Sequence, residues 1–200
     1  MLFAKIKQHY EAVVAVCCFL ILFTNVGLPS TSFSVYQPYL VDLPGVGHSG
    51  GSIIVSVRTF VSLLAMLVVG RYYDLVDCRI GAFLATLSVS AGFALYSLAG
   101  SNFGMLCGAS ALTGLGYGFG GMIASTMLIN RWFRVNVATV AGVAAVGSGV
   151  AAIIIPNAAV ALISAFDLQT AFRAEAALAL IIGVTVFALL RNDPRDMGLT

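Results

Sequence analysis

Six long apolar stretches dominate the chain, at about residues 12–34, 51–70, 80–99, 104–129, 137–163 and 172–190, with short polar connections between them. Taken as helices, at 1.5 Å per residue, they match a hydrocarbon core of about 30 Å. A membrane barrel would need strands of about ten residues with alternating polarity, and runs such as 63–70 are apolar at consecutive positions. With no water in the bilayer to satisfy backbone groups, helix is the form left. The pattern predicts an all-α, polytopic membrane protein: a bundle of six transmembrane helices, with 1–11 as a cytoplasmic N-terminus and 191–200 as a cytoplasmic tail or linker. Lys5 and Lys7 ahead of the first run imitate a secretory signal. The run is longer than a signal core, no small-x-small cleavage site follows and further spans come after, so it reads as a first membrane helix, with a cleaved signal as the alternative.

Composition removes the soluble classes. Of 200 residues, 60% are hydrophobic and 9% charged, and the mean hydropathy is +1.02, whereas soluble domains carry roughly a quarter charged residues. The lipid bilayer is therefore the expected surrounding partner. A net charge of +2 from scattered Lys and Arg residues offers no nucleic-acid surface. Cys17, Cys18 and Cys107 fall in apolar runs and Cys78 in a short basic connection, without disulfide or metal spacing. They read as small packing residues, and no metal or other cofactor is expected.

Charge along the chain sets the orientation. Lys5 and Lys7 precede span 1, Arg71 and Arg79 join spans 2 and 3, Arg131 and Arg134 join spans 4 and 5, and Arg191 and Arg195 follow span 6. The opposite connections, about 35–50, 100–103 and 164–171, contain no Lys or Arg. Basic residues are retained in the cytoplasm, so both termini are expected there. The first outer connection, with Pro38, Pro44, Gly45, Gly47, Gly50 and Gly51, reads as an irregular loop that could shape an entrance. Tyr36, Tyr39 and Trp132 suit the membrane interface. Arg173 and Glu175 read as anchors at the outer edge of span 6, with a gating ion pair as the alternative.

Glycines are concentrated in spans 4 and 5. Gly114 and Gly118, then Gly142, Gly147 and Gly149 ahead of Pro156, form small-residue faces that let helix backbones approach closely. Such faces serve either one tight packing or two alternative packings, and the second is what a carrier needs.

Three segments carry a resemblance. Gly70-Arg71-Tyr72-Tyr73-Asp74, with Arg79 following, resembles the loop signature between the second and third helices of the major facilitator superfamily; Leu75 replaces a usual basic residue and Asp77 a usual glycine. Asn130-Arg131-Trp132-Phe133-Arg134, followed by Ala138, Gly142, Gly147, Gly149 and Pro156, resembles the branch containing oxalate/formate antiporters and monocarboxylate transporters. Asp193-Pro194-Arg195-Asp196-Met197-Gly198-Leu199 resembles the segment leaving helix six in that branch. The resemblance implies the N-terminal half of a twelve-helix transporter in the plasma or inner membrane, with a carboxylate substrate and a missing C-terminal six-helix half as partners. The chain is accordingly expected to be a fragment, with a standalone half as the alternative. No repeat between spans 1–3 and 4–6 is legible in the residues.

Arg58 stands 12 residues before Gly70, about 18 Å from that end of span 2. An arginine at this depth is costly unless it faces a cavity or a partner, and the acidic residues all read as lying at or near interfaces. Substrate or coupling-anion binding, structural pairing and snorkelling remain open; a small carboxylate would be held by parallel guanidinium hydrogen bonds. Asn25, Thr113, Tyr117 and Ser148 reach comparable depths and complete the candidate site. Each alone also suits a hydrogen bond between packed helices.

Catalysis is disfavoured. Gly147-Ser148-Gly149 superficially resembles a serine-protease turn, but no histidine lies within any span to activate Ser148, His9 and His48 being outside. A non-transporting scaffold or channel subunit explains the glycines and leaves Arg58 without a role.

Overall fold

The computed structural model describes residues 2–133 and 135–191, with side-chain surroundings from Tyr10 onward. The side chains of Lys5, Lys7 and His9, together with Arg134, Arg195 and the segment 193–199, lie outside the described residues. Six spans are long and apolar enough to cross a membrane: Tyr10–Val41, Gly47–Leu75, Cys78–Ala99, Phe103–Trp132, Val137–Ala165 and Leu168–Leu189. No strand occurs among the described residues.

The connections are shorter than the polar pattern suggests. Helix continues to Val41 and resumes at Gly47, so the expected irregular loop over 35–50 shrinks to 42–46. Pro38 lies within helix, and Gly45 and Gly47 supply the positive φ angles of the turn. At the other end, helix runs through Gly70, Arg71 and Asp74 to Leu75, so these motif residues occupy the last turns of span 2 rather than a loop.

Two spans are irregular. Span 1 widens into a π-helix over Phe23–Ser32, which contains Pro29, and span 4 breaks between Gly120 and Met122. Pro29 lacks an N–H and its ring crowds the preceding turn, which accounts for irregularity there.

The lengths carry a symmetry hidden in the residues: 32, 29 and 22 for spans 1–3, then 30, 29 and 22 for spans 4–6. Packing follows the same rule. Span 2 packs on span 4 as span 5 packs on span 1, and spans 3 and 6 pack on one another. Exchanging the two triplets maps these three pairings onto one another and one irregular span onto the other, although span 3 also packs closely on span 4 while its counterpart, span 6 on span 1, touches only lightly.

Two apolar cores fill the bundle. One gathers Cys17, Cys18, Tyr73, Cys78, Leu128 and Trp132 at the end carrying Arg71, Arg79, Arg131 and Arg191, here called the basic end. The other gathers Leu28, Phe33, Tyr36, Phe93, Tyr96 and Phe172 toward the far end. Two aromatic expectations are corrected by this packing. Trp132 is buried against the Tyr10 ring at 4.7 Å, and Tyr36 is buried within the bundle; Tyr39 alone of the three is exposed. Cys17, Cys18 and Cys78 are buried and form no disulfide, as packing residues would be.

At the far end Asp167 caps span 6 by accepting from the Thr170 N–H at 2.7 Å. The Thr170 hydroxyl, together with that backbone bond, holds the carboxyl below the ordinary carboxylate range. A lowered folded-state value means the cap's contribution is complete above the ordinary range and is lost as pH falls through the folded value. Acidification through that window is expected to lower the protection of the Thr170 amide, its exchange rate being taken relative to the intrinsic rate at each pH, and Asp167→Asn, which caps without titrating, should flatten the response.

Candidate functional site

Arg58 projects from span 2 eleven residues past Gly47, about 17 Å from the far end. It is half-buried, and its backbone lies directly against span 4: a Cβ on Gly114 would stand 2.6 Å from the Arg58 carbonyl oxygen. Gly118 repeats this one turn on, where a Cβ would stand 2.8 Å from the Ser62 carbonyl oxygen and meet Ala65. These two glycines bring Arg58 into the bundle.

The guanidinium donates from one Nη to the Pro29 carbonyl in the wide segment of span 1 and lies 5.2 Å from the centre of the Phe33 ring. The phenol groups of Tyr96 and Tyr117 are close enough to interact with it electrostatically. No acidic side chain among the described residues pairs with it. Guanidinium offers five N–H donors in a fixed fork, so most of its capacity remains available to a ligand. The Tyr96 hydroxyl is buried, faces the Ser110 and Thr113 hydroxyls and forms no hydrogen bond of full geometry. A cation with open donors beside two phenols is suited to a carboxylate.

The other candidates have different surroundings. Asn25 is fully buried; its Nδ2 donates to Ile21 O at 3.1 Å and Thr86 Oγ1 at 3.0 Å, joining spans 1 and 3, while Oδ1 has no partner. Gly120 leaves room for it, since a Cβ there would sit 2.5 Å from Asn25 Cγ. Thr113 is buried against Gly92 and donates to Ser110 O at 2.9 Å. Half-buried Ser148 donates to Ala145 O on its own helix at 2.8 Å, not to Arg58 or its neighbours. The structure therefore places Tyr117 within electrostatic range of Arg58 and adds Tyr96, which sequence reasoning missed and which in turn faces the Thr113 hydroxyl. Tyr96 stands three residues from the end of its span and resembles an interface aromatic; no periodicity distinguishes it.

Among the packing glycines, Gly147 abuts the Phe19 carbonyl of span 1. Gly142 and Gly149 require correction as packing positions within this bundle: both are exposed, and a Cβ at either would meet nothing within 4 Å. They lie seven residues apart, on one face of span 5. Pro156 is half-buried inside the same helix. Of the motif at the basic end, Gly70, Arg71 and Asp74 are exposed, whereas Arg79 reaches span 6, donating from Nε to Phe187 O at 2.7 Å with its guanidinium 4.2 Å from the Phe187 ring centre.

A cavity of about 240 Å³ lies at the far end, with Tyr96, Leu106, Asp167 and Phe172 in its lining. Tyr96 links it to the surroundings of Arg58. Glu175, expected as an interface anchor, is instead buried and accepts from the Tyr36 hydroxyl at 2.7 Å; Arg173 is exposed.

Comparison with known proteins gives one family: the model described as Major Facilitator Superfamily matches residues 14–199. No curated protein sequence matches the chain.

Proposed function

Because the chain belongs to the major facilitator superfamily, a family of membrane transporters, we propose that it is the N-terminal half of a secondary carrier for a small organic anion, a mono- or dicarboxylate, working by alternating access. The observation that carries the anion reading is Arg58, membrane-embedded, without an acidic partner among the described residues and within electrostatic range of Tyr96 and Tyr117. Guanidinium binds both oxygens of a carboxylate, and phenols can donate to the same oxygens.

The second six-helix half docks, in this reading, on spans 2 and 5. These are the spans least covered within the bundle, and Gly142 and Gly149 present open backbone on span 5. Rocking about that seam exposes Arg58 to each side in turn. The basic end, with Arg71, Arg79, Arg131 and Arg191, faces the cytoplasm in a plasma or inner membrane.

The complete carrier in liposomes tests the reading with labelled oxalate. Saturable uptake competed by other small carboxylates, and unaffected by neutral solutes of the same size, is expected. Failure of every carboxylate to compete would overturn the substrate class, and peptide cleavage without uptake would favour an enzyme.

A further inference from the structure

Glu175 is the only buried acidic side chain among the described residues. It stands seven residues into span 6, about 11 Å from the far end. Tyr36 donates to Oε1 at 2.7 Å, while Oε2 is buried without a hydrogen-bond partner. The Ser32 hydroxyl, one turn before Tyr36, faces the same carboxyl and is also buried without a partner.

An ionised carboxylate here would have no cation to offset its lost hydration, a penalty of several kcal/mol. Span 1 presents Tyr36 and Ser32 to it. Span 3 places Tyr96 against Phe172, the ring centres 5.3 Å apart. Span 5 contains no titratable residue. On span 6 itself Arg173 and Asp167 are exposed. Arg79 and Tyr10 engage Phe187 and Leu189 at the basic end.

One added proton reconciles the two unpartnered atoms. A neutral acid accepts from Tyr36 at Oε1 and donates from Oε2 to Ser32 Oγ, so each buried oxygen gains a partner. We propose that Glu175 is a proton-binding site, holding its proton against Ser32, and that the proton travels with the anion at Arg58. The coupling clause rests on the carrier reading above; the proton site does not.

The connection runs through span 1. Arg58 holds Pro29 and lies near Phe33, and Glu175 engages Ser32 and Tyr36, so both groups act on the end of the same π-helical segment. Such segments are frequent at functional sites. Loss of the proton to water, as hydronium, leaves a carboxylate that must be hydrated and therefore favours opening of this seam; reprotonation closes it.

Infrared spectroscopy of the complete carrier in liposomes at neutral pH needs no substrate. A carboxylic-acid carbonyl band that shifts on deuteration is expected, lost in Glu175→Gln and moved by Ser32→Ala or Tyr36→Phe. If Glu175→Gln does not insert, the two conservative variants decide through the same band. Its persistence in Glu175→Gln, or its indifference to both neighbours, would overturn the proton site. With the membrane potential clamped at zero and acid outside, one proton per oxalate drives accumulation of about tenfold per pH unit. Glu175→Gln should lose this accumulation yet retain oxalate counterflow, and gradient-driven accumulation in that variant would overturn the coupling. Absence of oxalate transport in the wild type would defeat the anion reading and leave the infrared result to judge Glu175.

Discussion

Arg58→Ala is expected to weaken oxalate uptake by the complete carrier by about 30-fold to 4,000-fold. This corresponds to the 2–5 kcal/mol typical of removing one partner of a buried, hydrogen-bonded charge pair. The loss should fall on recognition rather than folding. Gly114 packs against the Arg58 backbone, which alanine retains, and removing a half-buried cation also removes its desolvation cost. Arg58→Lys keeps the charge but loses the planar fork, so partial uptake separates simple attraction from bidentate recognition. Saturation kinetics alongside the membrane-inserted fraction make the measurement. Wild-type uptake in Arg58→Ala would remove Arg58 from the site.

Gly114→Ala and Gly142→Ala should shift stability in opposite directions. At Gly114 the new methyl meets backbone on span 2, the Arg58 carbonyl oxygen at 2.6 Å, and backbone cannot step aside as a flexible side chain can. Overpacking of this kind costs about 1–3 kcal/mol. At Gly142 nothing stands within 4 Å, so alanine contributes its better helix propensity, up to about 1 kcal/mol. Thermal unfolding of the purified chain in detergent, followed by Trp132 fluorescence, checks both. Equal shifts would mean that span 4 does not pack on span 2 through this face. If the second half docks over Gly142, the gain should disappear in the complete carrier.

The glycine comparison indicates where sequence reading stops. Gly114, Gly118, Gly142, Gly147 and Gly149 look alike as small residues in apolar helices, because composition does not say which face meets a neighbour. Three of them contact another helix within this bundle and two do not. Arg58 was legible from depth alone, since a charge in an apolar run stands out against the cost of placing it there. Its neighbour Tyr96 was not, because a tyrosine near a span end suits lipid headgroups as well as a binding site. Glu175 was misread for a related reason: closeness to a span end implies an interface only if the side chain faces outward, and this one turns inward to Tyr36.

Helix content, the number of spans and the charge asymmetry between the two ends were determined by the sequence alone. They follow from local quantities: run length against bilayer thickness, and the placement of basic residues in connections. The repeat of long interrupted, long continuous and short spans, the hydroxyls that converge on Glu175 and the phenols within electrostatic range of Arg58 were decided only by tertiary structure. Each depends on the rotation of one helix against another, which is set by packing and hydrogen bonding between residues as far apart as Tyr36 and Glu175, and an apolar run without strong periodicity leaves that rotation undetermined.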